Sequence, residues 1–314
     1  MAADAGRYST LAIFLGLWTG RFLNETLMTI AYLNGEFVPL EQARISPLDR
    51  GFLFGDGIYE VIPSYAGKMV GFSQHMARFA KGLAAIEIDY KIDRDEWQTL
   101  VQRLIDDNRE TLGDNIGVYL HVSRGADTRR YHAYPEGVTP TVFGFAFALS
   151  APVKADRHAH PGASVSLAED LRWERCHIKS TALLGNVMHF QQSVKEGNAE
   201  TLLYNHQGEI TEASSSNVFI IKDGKAFTPP LDNQLLPGIT RMLVLECLKI
   251  AGIEVSEEVI TVGELLAADE VWITSSGKEI LPIVKVGDNQ IGDGKVGEIW
   301  EKVFSVYSEQ KFVL

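Results

Sequence analysis

The order of strand-like and helix-like segments constrains the fold of this 314-residue chain more than any other feature of its sequence. Stretches rich in β-branched and aromatic residues at 58–65, 116–122 and 141–149 predict strands. Helical periodicity follows Ser73 and Asp93, each a suitable residue to cap a helix start. Because helices and strands neither alternate strictly nor separate completely, the pattern predicts an α+β fold and excludes a regular βαβ repeat.

The second half of the chain mixes shorter strands and helices, and Asn34-Gly35 predicts a tight hairpin near the start of the first half. The further predicted elements are strands near 163–168 and 172–179, a helix at 184–195, a helix at 238–251, strands at 270–274 and 280–286, and a last helix at 296–309.

A short Pro- and Ala-containing segment, 151–156, is typical of an interdomain linker. We therefore expect a small N-terminal α+β domain at 28–150 and a larger C-terminal domain at 157–314. Residues 1–27 are interpreted as an extension or a mispredicted start, because MTIAYLNGEF from Met28 reads like the beginning of a folded domain. An export signal is the alternative, although Asp4 and the missing small-x-small cleavage site argue against it.

Charge and cysteine content narrow the class of protein. The formal net charge is −12, which disfavours nucleic acid and anionic membrane as partners. The apolar run at 11–18 is too short to span a bilayer. The two cysteines, Cys176 and Cys247, are too few for a disulfide framework and are interpreted as reduced packing residues of a cytoplasmic protein. No metal site is predicted.

Two titratable residues stand in contexts that suit chemistry. Lys179 is expected at the end of a strand, before the turn into an apolar helix. Partial burial there would lower the pKa of its amine and make it a better nucleophile, although a surface lysine is the plainer interpretation. Glu212 precedes a run of serines and a buried strand, so its carboxylate would need a partner if it points inward. A solvated loop is the alternative.

Three further segments offer donors to an anion. The helix that begins at LLPGITR carries Thr240 in its first turn, which suits either anion binding or ordinary capping. The turn at 274–277 is rich in hydroxyls and backbone amides. Arg130 and His132 lie in a long loop, where Arg can bind a carboxylate through two parallel hydrogen bonds. Arg129 could serve in place of its neighbour.

Taken together, these segments resemble the class IV, or fold-type IV, pyridoxal-phosphate aminotransferases, and most closely their D-amino-acid branch. The resemblance runs from about Tyr32 to the last helix. It rests on the motifs DRGFLFGDGIYE, QHMARF, RRYHAYPE, RCHIKS, EITEASSSNVF, LLPGITR, ITSSGKEI and DGKVGEIW.

The resemblance implies a two-domain architecture with mixed sheets, in which a barrel-like large domain with flanking helices binds pyridoxal 5'-phosphate. Lys179 matches the lysine that forms the Schiff base, and Glu212 matches the glutamate that pairs with the pyridine nitrogen. The other cofactor-binding positions that it implies are Arg78, Ile239, Thr240, Ser275 and Ser276 for the phosphate, Leu236 against the ring, and Ser215 and Arg172 in supporting roles.

The same resemblance implies how a substrate binds. Tyr59, Arg130 and His132 match the trio that grips the substrate α-carboxylate in D-specific enzymes. The loop that carries Arg130 and His132 is expected to come from the partner subunit of a homodimer. The implied reaction is transamination between a D-amino acid, such as D-alanine or D-glutamate, and a 2-oxo acid.

Three other functions remain open. Branched-chain L-aminotransferases share the lysine, the glutamate and the phosphate-binding groups, but are expected to lack the Arg-x-His loop. Aminodeoxychorismate lyase also has a serine-rich turn. A non-catalytic protein that only binds pyridoxal phosphate would not need the intact set of Lys179, Tyr59, Arg130 and His132.

Overall fold

The computed structural model describes residues 28–91 and 93–314, and these form two β-sheets with helices packed against them. The predictions made for residues 1–27 lie outside the described residues. No helix in the described ranges is both long and apolar enough to cross a membrane.

The first sheet is antiparallel and has six strands in the spatial order β2-β1-β6-β5-β3-β4. Asn34 and Gly35 both have positive φ angles, so the predicted β1–β2 hairpin is confirmed. The strands are β1 (Ile30–Leu33), β2 (Glu36–Pro39), β3 (Gly57–Tyr65), β4 (Lys68–Met69), β5 (Asn115–Ser123) and β6 (Thr141–Ala148).

Three helices accompany this sheet: α1 (Arg50–Phe54), α2 (Phe72–Ala85) and α3 (Arg94–Leu112). One face of the sheet packs on α2 and α3 and forms a buried apolar core. The opposite face carries half-buried aromatic side chains, namely Tyr59, Tyr119, Phe143 and Phe145. The alternation of β-strand side chains therefore separates a core face from an aromatic face.

The predicted caps of α2 and α3 had different outcomes. Asp93 caps α3 as predicted, because its side chain accepts a hydrogen bond from the amide of Glu96. Ser73 does not cap α2, because the chain enters this helix through Gly71, whose φ of 61° is left-handed. Ser73 already lies in the first turn, and its hydroxyl accepts hydrogen bonds from Arg94 instead.

The second sheet has nine strands that pair in both directions and form an open half-barrel. The strands are β7 (Ala163–Glu169), β8 (Thr201–Tyr204), β9 (Ile210–Ala213), β10 (Asn217–Lys222), β11 (Lys225–Thr228), β12 (Val255–Glu257), β13 (Glu270–Ser275), β14 (Glu279–Val286) and β15 (Asn289–Gln290). The helices are α4 (Leu184–Glu196), α5 (Ile239–Ile250), α6 (Val262–Leu266) and α7 (Glu298–Gln310).

Helices α5 and α7 cover one side of this half-barrel, where Trp272, Trp300 and Phe304 are fully buried. The chain passes from the first sheet to the second between Ala148 and Ala163. The α+β fold class is thereby confirmed. The division into domains at 151–156 stays a prediction.

The strand predicted at 172–179 is wrong. Residues 172–179 form turns, because the buried Arg172 pairs with Asp170 and Glu212 and so bends the chain away from a sheet ladder. The segment meets the first sheet just afterwards, through a β-bridge between Ser180 and Ile58.

Candidate active site

A cavity of about 420 Å³ is lined by residues from both halves of the chain. Tyr59 and Arg78 contribute from the first half, and the remaining walls come from the second. The lining includes every residue predicted to bind the cofactor, together with the predicted catalytic lysine: Arg78, Lys179, Glu212, Ser215, Leu236, Ile239, Thr240, Ser275 and Ser276. Residues that are far apart in sequence thus meet at one site.

Lys179 is held to β3 by backbone hydrogen bonds. The amide of Tyr59 donates to the carbonyl of Lys179 at 3.1 Å, and the amide of Thr181 donates to the carbonyl of Gly57 at 3.0 Å. The Lys179 ammonium group lies 4.2 Å from the centre of the Tyr59 ring. A half-buried lysine whose backbone is pinned on both sides presents its amine in a defined position.

Glu212 lies on β9 and is only 5% exposed. Its carboxylate accepts hydrogen bonds from Arg172 at 2.6 Å, from the amide of Leu236 at 3.1 Å and from Asn217 at 3.3 Å. Burial raises the pKa of Glu212 to about 7, against the lowering effect of Arg172. Its protonation state therefore responds to whatever binds beside it.

Arg172 joins two carboxylates at this wall. Its guanidinium donates to both oxygens of Asp170, at 3.0 and 2.7 Å, as well as to Glu212. Burial alone would lower the pKa of Arg172, but the hydrogen bond with Asp170 and the charge of Glu212 raise it. Arg172 therefore stays charged and orients Glu212 toward the cavity.

The start of α5 forms the second wall. Gly238 precedes the helix, and a Cβ atom there would lie 2.0 Å from Oδ1 of Asn217, so this close approach requires glycine. The first amides of a helix have no intrahelical acceptor, and Ile239 and Thr240, the first two residues of α5, border the cavity. Together with the hydroxyls of Ser275 and Ser276 they form a donor-rich cup suited to an anion.

Two buried hydroxyl groups at the cavity have no partner among residues 28–91 and 93–314. They are Oγ of Ser216 and Oγ1 of Thr274. Since buried polar groups are nearly always hydrogen-bonded, these donors indicate room for a polar ligand.

Arg78 lies on α2 at the edge of the cup. It donates to both oxygens of Glu60, at 2.7 and 2.8 Å, and to the carbonyl of Pro237 at 2.9 Å. Burial would raise the pKa of Glu60, but the Arg78 and His75 contacts outweigh it and lower the pKa to about 2. Arg78 keeps further N–H groups available to a ligand, although Glu60 offsets its charge.

Ser215 borders the cavity but its hydroxyl donates to Glu200 at 2.7 Å. Glu200 is fully buried and also accepts from Ser214 and from the Lys278 ammonium. Ser215 therefore joins the cavity lining to the buried carboxylate of Glu200.

The predicted carboxylate trio is not assembled within one chain. Tyr59 borders the cavity, whereas Arg130 and His132 are exposed on the loop between β5 and β6 and stand outside the cavity lining. This loop packs on α1, where the ring of His132 lies 5.3 Å from that of Phe54.

Sequence reasoning missed Glu60 and Asn217, which orient Arg78 and Glu212. Alternation along β3 was the available signal for Glu60: it is adjacent to Tyr59 and so must point to the core face, where a carboxylate needs a cation.

Both cysteines are free, and burial raises the pKa of each to about 12, which suits packing more than nucleophilic chemistry.

Comparison with known proteins agrees with this fold. The family model for class IV amino-transferases matches residues 57–286. A D-alanine aminotransferase of Staphylococcus epidermidis is 40% identical over 87% of this chain and 94% of its own. The corresponding enzyme of Bacillus licheniformis is 37% identical over 86% and 93%.

Solved structures share the fold at lower identity. A branched-chain amino acid aminotransferase from Escherichia coli superposes with a TM-score of 0.79 at 23% identity, over 90% of this chain and 94% of its own. A hypothetical Mycobacterium tuberculosis aminotransferase in a PLP-bound form has a TM-score of 0.77 at 18% identity, over 90% and 99%. The chain belongs to the class IV aminotransferase family. The predicted family and a transaminase activity are thereby confirmed, and the family implies amino acid and 2-oxo acid substrates and pyridoxal phosphate.

Proposed function

We propose that this chain transfers the amino group between a D-amino acid, such as D-alanine or D-glutamate, and a 2-oxo acid, with pyridoxal 5'-phosphate held in the cavity. The observation that carries the proposal is the convergence of Lys179, Glu212 and the start of α5 on one cavity. The identity of 37% and 40% to D-alanine aminotransferases supports the choice of substrate class.

The residues present fit this cofactor. The donor cup at the start of α5 suits a phosphate, and the hydroxyls of Ser216 and Thr274, which lack partners in the described part of the chain, offer further hydrogen bonds. Pyridoxal phosphate supplies an electron-accepting ring that stabilises charge on the substrate Cα. The proposed phosphate ligands are Arg78, Ile239, Thr240, Ser275 and Ser276. Leu236 supplies an apolar contact for the ring, and Ser215, which borders the cavity, has a supporting role.

Glu212 is proposed to face the pyridine nitrogen. A carboxylate there favours the protonated ring, and the Arg172 guanidinium keeps Glu212 oriented toward it. The single charge of Arg172 offsets part of the negative charge of Asp170 and Glu212, with which it forms ion pairs of 2.7 and 2.6 Å.

Lys179 is proposed to hold the cofactor through its amine and then to move the proton at the substrate Cα. The backbone hydrogen bonds to Gly57 and Tyr59 keep the lysine stem beside Tyr59. An amine held in this way acts as a general base that removes the proton and as a general acid that returns it.

Tyr59, Arg130 and His132 are the proposed ligands of the substrate α-carboxylate, and the last two are supplied by the partner subunit of a homodimer. Two observations support this arrangement. Arg130 and His132 lie outside the cavity lining of their own chain, and the aromatic face of the first sheet is only half buried. A second copy of the chain would cover such a face and complete the site.

A D-specific enzyme is favoured over a branched-chain L-aminotransferase. The branched-chain structure shares the fold at 23% identity, which carries no substrate information. The Arg-x-His sequence at 130–132 and the higher identity to D-alanine aminotransferases both favour the D-branch.

The test measures the 2-oxo acid formed from each amino donor: pyruvate from D-alanine or L-alanine and 4-methyl-2-oxopentanoate from L-leucine, each with 2-oxoglutarate as acceptor, and 2-oxoglutarate from L-glutamate with pyruvate as acceptor. We expect turnover with D-alanine and at most traces with the L-amino acids. Turnover of L-leucine would overturn the substrate class and leave the cofactor site standing. If no amino donor were turned over with its 2-oxo acid acceptor, and pyruvate were released from aminodeoxychorismate, the activity would be that of a lyase and not of a transaminase.

A further inference from the structure

The Arg50 guanidinium donates hydrogen bonds to the backbone of the loop that carries Arg130 and His132. It is 3% exposed, and its guanidinium donates to the carbonyls of Tyr131 at 2.5 Å, His132 at 3.1 Å and Ala133 at 3.3 Å. Three consecutive carbonyls bound to one rigid planar group leave the backbone at 131–133 little freedom.

Asp56 balances this charge and links it to the end of α2. The carboxylate accepts from Nε of Arg50 at 2.7 Å and from Arg124 at 2.8 and 3.1 Å. Arg124 in turn donates to the carbonyls of Ile86 and Glu87, just beyond α2. The loop is therefore anchored, through two arginines that share one carboxylate, to a helix that packs in the core.

Helix α1 also contacts the side chains of this loop. The ring of Phe54 has its centre 4.8 Å from Arg50, 5.1 Å from the Arg130 guanidinium and 5.3 Å from the His132 ring. The near end of the loop is held as well, since the amide of Arg50 donates to the carbonyl of Gly125 at 2.9 Å. One short helix thus supports the backbone of the loop and both of its proposed substrate-binding side chains.

We propose that Arg50 is a positioning residue for the substrate carboxylate: it fixes the backbone at 131–133 so that Arg130 and His132 project together from the surface of Phe54. This inference rests on the proposed function of Arg130 and His132. Ordering the loop has an entropic cost. Because Arg50 orders it before the substrate arrives, this cost does not weaken substrate binding, and the carboxylate ligands are held in a productive geometry. Arg50 itself does not border the cavity of its own chain.

The experiment uses the holoenzyme and the variants Arg50→Ala and Arg50→Lys. The readouts are kcat and KM for D-alanine, the dissociation constant of pyridoxal phosphate, and Tm. We expect Arg50→Ala to raise KM about tenfold, while cofactor affinity changes less than about twofold, because the phosphate cup is untouched. Arg50→Lys should recover part of the loss, since an ammonium replaces one of the three carbonyl contacts.

Arg44→Ala is the matched control. Arg44 also donates to two backbone carbonyls, of Glu41 and Ala43, but it is exposed and neither carbonyl belongs to the 124–140 loop. We expect Arg44→Ala to leave both KM and cofactor affinity unchanged.

A double-mutant cycle with Arg130→Ala tests the route by which Arg50 acts. If Arg50 works through the loop, adding Arg50→Ala to Arg130→Ala should raise KM by a smaller factor than it does in the wild-type enzyme, and adding it to Arg130→Ala/His132→Ala should change KM less than about twofold, because both positioned side chains are then gone. Fully multiplicative effects would overturn the inference. If Arg50→Ala does not fold, the cycle is run with Arg50→Lys, for which the same reasoning holds.

The outcomes separate this inference from the proposed function. A raised KM in Arg130→Ala with normal KM in both Arg50 variants overturns the role of Arg50 and leaves the carboxylate site standing. Loss of pyridoxal phosphate in Arg50→Lys also overturns it, because the effect would then lie in the cavity. An unchanged KM in Arg130→Ala itself removes the proposed carboxylate site, and the role of Arg50 with it.

Discussion

Tyr59 and Lys179 are 120 residues apart in the chain, yet the Tyr59 amide donates to the Lys179 carbonyl at 3.1 Å and the lysine ammonium lies 4.2 Å from the tyrosine ring. The first contact joins β3 of the first sheet to the segment that follows β7. The second sets the proposed catalytic amine against a proposed substrate-binding side chain. The two halves of the chain are therefore held together at the reacting groups.

Lys179→Ala should abolish transamination while pyridoxal phosphate still binds noncovalently. The amine is proposed to move the proton at Cα, and no other lysine borders the cavity within the described residues. Turnover and cofactor affinity, measured separately, check this expectation. Lys249→Ala is a control for the loss of a lysine, because Lys249 is exposed near the end of α5 and does not border the cavity. Full turnover in Lys179→Ala would contradict the assignment.

Arg130→Ala should raise KM for D-amino acids about tenfold to a hundredfold, since a bidentate charged contact to the carboxylate is lost. Cofactor retention should stay normal. Arg129→Ala is the matched control, because Arg129 is the exposed neighbour that could serve in its place. If Arg129→Ala raised KM more than Arg130→Ala, Arg129 would be the carboxylate ligand instead. If Arg130→Ala lost the cofactor, Arg130 would be assigned to cofactor binding and not to substrate binding.

Glu212 should make the cofactor-free protein less stable as pH rises. Burial raises its pKa from 4.5 to about 7, so the folded state holds the proton more tightly than the unfolded chain. That stabilisation is complete below pH 4.5 and is lost as pH rises through 7, by about 3 kcal/mol at 1.36 kcal/mol per pKa unit. Urea unfolding between pH 5 and pH 8 measures it. If the free energy of unfolding of Glu212→Gln changed with pH as steeply as that of the wild type, Glu212 would not be the source of this pH dependence.

Glu60 should have the opposite pH dependence. Its pKa falls from 4.5 to about 2 because Arg78 and His75 outweigh the effect of burial. The stabilisation is present above pH 4.5 and is lost as pH falls toward 2. Glu60→Gln should therefore lower the free energy of unfolding at pH 7 by about 3 kcal/mol, with a smaller difference at pH 3. Glu36→Gln, at an exposed position, is the control. If the difference in the free energy of unfolding between the wild type and Glu60→Gln were the same at pH 7 and pH 3, the lowered pKa of Glu60 would not contribute to stability.

Asn108 should stabilise the first sheet independently of any ligand. It is fully buried on α3, accepts from the amide of Ile30 at 2.7 Å and donates to the carbonyl of Ile30 at 2.9 Å. Asn108→Ala leaves both backbone groups of β1 without this partner, at a cost of about 2 kcal/mol. Chemical denaturation measures the loss. The exposed Glu110→Ala on the same helix should be nearly neutral, and equal losses in both variants would refute the specific role.

Much of the fold could be predicted because local periodicity reports local burial. The apolar stripe of α3, with Trp97, Leu104 and Ile105, is buried as its spacing predicts. The hairpin at Asn34-Gly35 and the α5 helix also follow from residues that are close in sequence. The wrong strand at 172–179 shows the limit: an alternating pattern cannot reveal that Arg172 turns inward toward Glu212, 40 residues away.

The sequence by itself determined the types of the main elements, the family, and the residue types available for the chemistry. Only the tertiary structure decided which polar groups meet: Arg78 with Glu60, Arg172 with Glu212, and Arg50 with the carbonyls at 131–133. The physical reason is the range of the forces that act. Helix and strand preferences act over a few neighbouring residues, whereas a buried charge is stabilised by whichever partner the folded chain brings within hydrogen-bond distance.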